Sequence, residues 1–97
     1  MADTCTHLDQ IHVRSADAPG CQACLEVGDT WVHLRLCTGC GRVGCCDNSK
    51  NQHATRHFQA SGHPVMRSYE PGEDWWWCYV DELAFELEGA EPARTSR

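Results

Sequence analysis

Cysteine and histidine are concentrated in this chain, and their spacing limits what it can fold into. The 97 residues include eight cysteines and six histidines. Two Cys-x-x-Cys pairs, Cys21/Cys24 and Cys37/Cys40, each place two thiols where a tight loop lets both reach one ion. A short chain buries only a modest core, and small domains often compensate with disulfides or metals. The cysteines therefore predict either a disulfide framework or a metal-stabilised fold.

The sequence at the start of the chain favours a metal-stabilised fold over a disulfide framework. Residues 1–7 have neither the basic region nor the apolar region of a secretory signal. No stretch approaches the roughly 20 apolar residues of a membrane-spanning helix. We therefore expect a cytoplasmic protein without a membrane partner, in a compartment where thiols stay reduced and more often hold metal.

Further metal ligands follow the two cysteine pairs. Cys45 comes next, and then His53, His57 and His63. His53 and His57 are four residues apart on a predicted helix, so they share one face and could by spacing bind a single ion. Zinc accepts thiolate and imidazole ligands in tetrahedral sites. These residues, with the two cysteine pairs, predict two zinc sites.

A third group is divided between the two ends of the chain. Cys5 and His7 lie near the start, and Cys78 and Asp81 lie near the end. Two thiols, one imidazole and one carboxylate are all acceptable to zinc. Asp81 could complete a third zinc site; alternatively, it faces solvent and water fills the position, or the site is empty.

Two residues near these ligands receive other interpretations. Cys46 directly follows Cys45, and neighbouring residues of an extended chain point apart, so we expect Cys46 to be a small buried side chain rather than a ligand of the same ion. His33 lies in a predicted strand, where we expect a surface residue or a residue that contacts a metal ligand.

The charge of the chain excludes one common role of zinc fingers. The formal net charge is −6, with 8 Lys and Arg against 14 Asp and Glu. Affinity for nucleic acid comes largely from Lys and Arg that neutralise phosphates. We therefore expect no nucleic-acid partner.

The pattern of the chain predicts a few short elements. Gly62 and Pro64 end a helix over residues 51–61. Three consecutive tryptophans, 75–77, cannot all face one side of a strand, so at least one is expected on a contact surface. The other elements are strands over 31–36, 64–70 and 75–80, a turn over 70–74, and a strand or short helix over 83–87.

The order of these ligands resembles that of the UBP-type zinc finger, a module of deubiquitinating enzymes and of a ubiquitin-binding histone deacetylase. The resemblance spans Cys5 to Leu87. It is strongest to small stand-alone bacterial members, which share runs such as 44–47 and 71–75 of this chain. It implies one domain over residues 1–88. Residues 89–97 are small and polar, and we expect them to form a disordered tail.

The resemblance implies an α+β fold in which a twisted antiparallel sheet packs on one or two helices and the metal sites are cross-braced. It implies that His53 and His57 bind different zinc ions. The implied ligand sets are Cys21, Cys24, Cys45 and His53 for the first zinc, Cys37, Cys40, His57 and His63 for the second, and Cys5, His7, Cys78 and Asp81 for the third. The family has cysteine where this chain has Asp81.

The resemblance also implies a function. Such modules hold the free C-terminal Gly-Gly of ubiquitin between aromatic side chains, and Trp31, Trp77 and Tyr79 match pocket aromatics. The family places Arg-Tyr shortly after the cysteine that corresponds to Cys45. This chain has Cys-Asp-Asn at 46–48, and an aspartate there would repel a carboxylate.

We therefore expect a monomeric, non-catalytic, zinc-binding module that recognises a protein or peptide C-terminus of the ubiquitin type. The alternatives are a thiol and zinc redox switch, or a zinc hydrolase in which Cys5, His7 and Cys78 hold the ion and Asp81 acts as general base. Neither alternative is supported by a known catalytic motif.

Overall fold

The computed structural model describes residues 7–70, 73–87 and 92–94. Within these residues, five strands and two α-helices follow a short 3-10 helix. In chain order they are the 3-10 helix Leu8–Gln10, α1 Gln22–Val27, β1 Leu34–Cys37, β2 Val43–Cys45, α2 His53–Ser61, β3 Val65–Ser68, β4 Trp75–Cys78 and β5 Leu83–Glu86.

The five strands form one antiparallel sheet in the order β2-β1-β3-β4-β5. This confirms the predicted α+β class. The undecided segment 83–87 is a strand, because Leu83 pairs with Cys78 and closes a hairpin with β4. A bond from the Glu73 amide to the Glu70 carbonyl fits the predicted turn, although residues 71 and 72 lie outside the described residues.

The sheet has two different faces. One face is buried over β1, β3 and β4 and presents Leu36, Arg67 and Trp76, which pair across these strands and are fully buried. Trp75 and Trp77 point to the opposite face, where both stay half-buried. The three tryptophans thus divide between the faces, as strand alternation requires.

Three elements were not predicted: the 3-10 helix Leu8–Gln10, α1 and β2. The six residues of helix α1 are preceded by the cap residue Cys21, whose sulfur accepts a bond from the Cys24 amide. They are followed by Gly28, whose φ of 72° is left-handed. Strand β2 has three residues. The predicted strand over 31–36 begins later, at Leu34.

Helix α2 lies against the second face of the sheet, over β1 and β2. The contact is close at Gly44, where an added Cβ would come within 2.8 Å of the Ala54 backbone nitrogen. Its main contacts are with β1 and β2, so most of the half of this face that carries Trp75 and Trp77 is left uncovered.

The structure describes residues 92–94 of the segment that was expected to be a disordered tail. Ala93 is buried in the core beside Ala18 and Tyr69, and its carbonyl accepts a bond of 2.8 Å from the Ala16 amide. The Arg94 guanidinium lies 5.4 Å from the centre of the Tyr69 ring. The burial of the small Ala93 side chain and the contact of the Arg94 guanidinium with the Tyr69 ring hold these residues in place. The remaining residues of the predicted tail lie outside the described residues.

Across the described residues, no helix combines the length and apolar character needed to cross a membrane.

We predict that Gly44→Ala destabilises the zinc-loaded protein by about 1–3 kcal/mol, because the obstacle to the new methyl group is helix backbone, which cannot move without shifting α2. Denaturant unfolding at constant free zinc measures the change. Gly28→Asn is the control: a Cβ there meets nothing, and asparagine tolerates the left-handed backbone. Equal stability of Gly44→Ala and the unchanged chain would contradict the prediction.

Candidate metal centres and aromatic groove

The first cluster brings together one histidine and three cysteines from separate elements. Cys21 and Cys24 come from the start of α1, Cys45 from the end of β2 and His53 from the start of α2. The three cysteines are fully buried. Short elements that begin or end at a cluster ligand are typical of a fold organised by metal.

The spacing inside the first cluster fits a tetrahedral ion. His53 Nδ1 lies 3.3 Å from the sulfurs of both Cys21 and Cys24 and 3.5 Å from the sulfur of Cys45. The sulfurs of Cys24 and Cys45 are 3.9 Å apart. Zinc ligands at bond lengths of 2.0–2.3 Å would be separated by about 3.5 Å for a sulfur and a nitrogen and about 3.8 Å for two sulfurs.

Donors around the first cluster suit thiolate ligands. The His53 amide lies 3.2 Å from the Cys45 sulfur, so the sulfur takes the place of a side-chain cap at the start of α2. Asn51 donates from Nδ2 to the Cys24 sulfur at 3.8 Å and to Asp29 at 2.9 Å. Such donors stabilise negative sulfur and orient metal ligands. Asn51 is a residue that sequence reasoning missed.

The second cluster interleaves with the first along the chain. Cys37 ends β1, Cys40 lies in the turn that follows, His57 is one turn after His53 on α2, and His63 follows the helix. Cys37 Sγ is 3.4 Å from His63 Nδ1, and Cys40 Sγ is 3.3 Å from His57 Nε2. The structure thus places the two helical histidines in different clusters.

Burial shifts the pKa of three of these ligands, Cys24, Cys37 and His57. It raises the pKa of the Cys24 thiol to about 12 and that of the Cys37 thiol to about 11. Burial, followed by the charges of His63 and Arg42, lowers the pKa of His57. The histidine therefore favours the neutral form that binds metal, while the two thiols must lose protons to bind it.

The third cluster is smaller and more exposed. His7 Nδ1 lies 3.4 Å from the Cys78 sulfur and 3.2 Å from Asp81 Oδ2. The side chains of His7 and Asp81 are each 28% exposed. These distances fit three ligands of one ion and also fit a His–Asp ion pair. The predicted fourth ligand, Cys5, lies outside the described residues.

Cys46 and His33 take the positions expected from the sequence. The side chain of Cys46 is 5% exposed and lies 3.5 Å from the Ser49 hydroxyl. Burial raises the pKa of Cys46, but hydrogen bonds from Ser49 and the backbone, with the charge of Arg35, lower it by more. His33 is exposed, and its carbonyl accepts a bond from the Cys46 amide.

A groove of about 430 Å³ lies on the uncovered half of the sheet, beside the start of α2. We call it the aromatic groove. Its lining residues are Arg35, Cys46, Asp47, Asn48, Ala54, Thr55, Met66, Trp75, Trp77, Tyr79 and Glu82. The groove contains two of the three predicted pocket aromatics, Trp77 and Tyr79.

The three aromatic residues of the groove have different neighbours. Trp75 is covered by the Arg35 guanidinium, 4.5 Å from the ring centre. Tyr79 stacks on Phe58 with ring centres 4.4 Å apart. Trp77, between them, has no ring or cation stacked on it among the described residues. Trp77 therefore offers an aromatic surface to a ligand.

Arg35 gives the groove a positive charge that sequence reasoning did not find. Its Nη1 donates to the Leu34 carbonyl at 2.9 Å, and its guanidinium lies over Trp75. No carboxylate of the described residues lies within 4 Å of it. The sequence feature that could have indicated Arg35 is a lone arginine between apolar residues of a predicted strand. The sequence did not show that this strand lies near Trp75.

Trp31, the third predicted pocket residue, is not among the residues that line the groove. Its ring packs on the core beside Gly20, where an added Cβ would come within 2.4 Å of the ring. Trp31 therefore does not share the groove with Trp77 and Tyr79 in this structure. Its position seven residues after Cys24 places it before β1 begins, on the side of α1.

Two residues with strained backbone border the groove. Glu82, with a φ of 51°, lines it in the β4–β5 hairpin. Gln52, with a φ of 49°, donates from Nε2 to the Asp47 carbonyl. Left-handed backbone is costly for residues other than glycine and is found preferentially at functional sites.

Comparison with known proteins gives one matching family model. Residues 21–87 match the model described as the Zn-finger in ubiquitin-hydrolases and other proteins.

Two curated relatives contain a similar segment. One is NAD-dependent deacetylase sir2A of Dictyostelium discoideum, 31% identical over 78 residues that cover 80% of this chain and 14% of that protein. The other is ubiquitin carboxyl-terminal hydrolase 45 of Mus musculus, 34% identical over 100 residues that cover 78% of this chain and 11% of that protein. This chain thus corresponds to a small part of each enzyme.

A solved structure is similar over nearly the whole chain. The solution NMR structure of protein RPA1320 from Rhodopseudomonas palustris is 48% identical, with a TM-score of 0.83. The match covers 99% of this chain and 95% of that one.

We predict that the apparent zinc affinity of this chain falls as the pH is lowered from 7.5 to 6.0. Zinc must displace the protons of Cys24 and Cys37, and each displaced proton weakens binding about tenfold per pH unit. Competition with a chelator of known pH dependence measures this. An affinity that is the same at both pH values would contradict the prediction.

Proposed function

The chain belongs to the family of zinc fingers found in ubiquitin hydrolases and other proteins, and from that premise we propose that it is a non-catalytic module that binds the free C-terminal end of a partner protein. The observation that carries the proposal is Arg35, a guanidinium without a carboxylate partner among the described residues, held at the aromatic groove beside the uncovered Trp77.

The chain binds zinc, as its family and its Cys and His clusters indicate. We propose that the first two clusters hold one ion each. Each offers four protein ligands, which leaves no position for a water molecule, and structural zinc sites have this closed arrangement. The ions would join α1, β1, β2 and α2.

The third cluster is proposed to hold a further ion through His7, Cys78 and Asp81, with Cys5 as the fourth ligand. The support is that three ligand atoms of suitable chemistry lie together. This site would attach the N-terminal segment to the β4–β5 hairpin. A carboxylate ligand bonds well to zinc, although structural sites more often use cysteine and histidine.

The proposed ligand is a peptide terminus that enters the aromatic groove. A terminal carboxylate accepts two parallel bonds from a guanidinium, and an arginine already held over a ring loses little freedom when it binds. Trp77 supplies the surface on which the last peptide units stack. The ubiquitin-type Gly-Gly tail is the ligand that the family suggests, with Arg35 in the role that the arginine after Cys45 would play.

We predict that a synthetic peptide ending in Gly-Gly binds at least about tenfold more tightly as the free acid than as the amide, because a hydrogen bond to a charged group contributes about 1.5–3 kcal/mol. Arg35→Gln should remove the difference. Isothermal titration calorimetry on the zinc-loaded protein measures both affinities. Arg56→Gln, an exposed arginine of α2 outside the groove, is the matched control.

Equal affinity for the acid and the amide would overturn the proposed function. A difference that survives in Arg35→Gln would show that another group holds the carboxylate.

A further inference from the structure

The aromatic groove carries negative charge as well as positive. Asp47 and Glu82 line it together with Arg35. Asp47 accepts a bond from the Thr55 hydroxyl, which fixes the position of its carboxylate, and that hydroxyl is also 3.4 Å from the hydroxyl of Tyr79. No cation of the described residues pairs with Asp47 or with Glu82 within 4 Å.

These charges lie around an aromatic surface. The groove aromatics Trp75, Trp77 and Tyr79 are alternate residues of the chain and form a row. Arg35 lies over Trp75 at one end of this row. At the other end, Thr55, which donates to Asp47, contacts Tyr79. Alternate residues of a strand are about 7 Å apart, so Trp77 lies roughly one side-chain length from each neighbour in the row. Ammonium and guanidinium groups are attracted to the face of a tryptophan ring.

We infer that the groove selects a peptide whose last residue is Lys or Arg. Its carboxylate binds Arg35, and its side chain crosses the face of Trp77 and ends at the carboxylates of Asp47 and Glu82. The inference rests on the function proposed above and adds to it the residue that the groove prefers. A terminal Lys or Arg residue carries one negative and one positive charge, which matches the two kinds of charge in the groove.

Two further features support this choice. Glu82 has the left-handed backbone that glycine or asparagine would adopt without strain, and yet the position carries a charged side chain that faces the groove. In addition, the net charge of −6 attracts a basic ligand from a distance. A tail ending in glycine would leave Asp47 and Glu82 without a partner.

The test compares three free-acid peptides that differ only in their last residue: lysine, its uncharged counterpart norleucine, and glycine. The amide of the lysine peptide is the fourth probe. We expect the lysine peptide to bind the zinc-loaded protein about tenfold more tightly than the norleucine peptide, since a cation–π contact and a partly exposed ion pair act together. Quenching of tryptophan fluorescence and calorimetry give the affinities.

The double variant Asp47→Asn with Glu82→Gln should bring the lysine and norleucine peptides to within about twofold of each other. Asparagine at 47 can still accept the bond from Thr55, so the fold of this region is preserved. The matched control is Asp9→Asn with Asp17→Asn, which makes the same change in net charge at two exposed positions outside the groove and should keep the preference.

The outcomes separate the inference from the function on which it rests. If the acids bind better than the amide but lysine and norleucine bind equally, the selectivity is refuted and the proposed function stands. If the lysine preference persists in the Asp47 and Glu82 variant, the selectivity has another origin and the inference is overturned. If no acid binds better than the amide, both proposals fail.

Discussion

Helix α2 is tied to the rest of the molecule by two histidines one turn apart, and the other elements depend on this arrangement. His53 faces three cysteines from α1 and β2, while His57 joins the cluster at the end of β1. The ligands of the two clusters alternate along the sequence, so neither cluster can form from one local segment of the chain. In small peptide systems a structural zinc contributes about 10–16 kcal/mol, against about 5–15 kcal/mol for the total stability of a typical domain. Metal binding and folding of such a chain are then one process.

The aromatic groove depends on the same arrangement. One of its walls is the start of α2, with Ala54 and Thr55, and its floor is the part of the sheet that the helix leaves uncovered. The helix approaches the sheet closely at Gly44, between the cluster ligands Cys45 and His53 and the groove. The helix that forms this wall carries the cluster ligands His53 and His57, although no cluster ligand lines the groove.

Sequence reasoning succeeded where a local pattern carries the information. The helix that contains His53 and His57 was predicted from its end signals, and the strand around Trp75–Cys78 was predicted from its aromatic residues. It failed for β2, whose three residues are too few for a period. It did not find Arg35, because only the strand order β1-β3-β4 brings this arginine to Trp75. The pairing of strands that are distant in the sequence cannot be inferred from the residue pattern within either strand.

The dependence of the fold on zinc is tested most directly by removing the metal completely. Far-ultraviolet circular dichroism of the chain would be recorded before and after treatment with an excess of a strong chelator under reducing conditions, with residual zinc measured by mass spectrometry. The account predicts that the spectrum changes to that of an unfolded chain and recovers when zinc is restored. An unchanged spectrum in a sample shown to contain no zinc would contradict it.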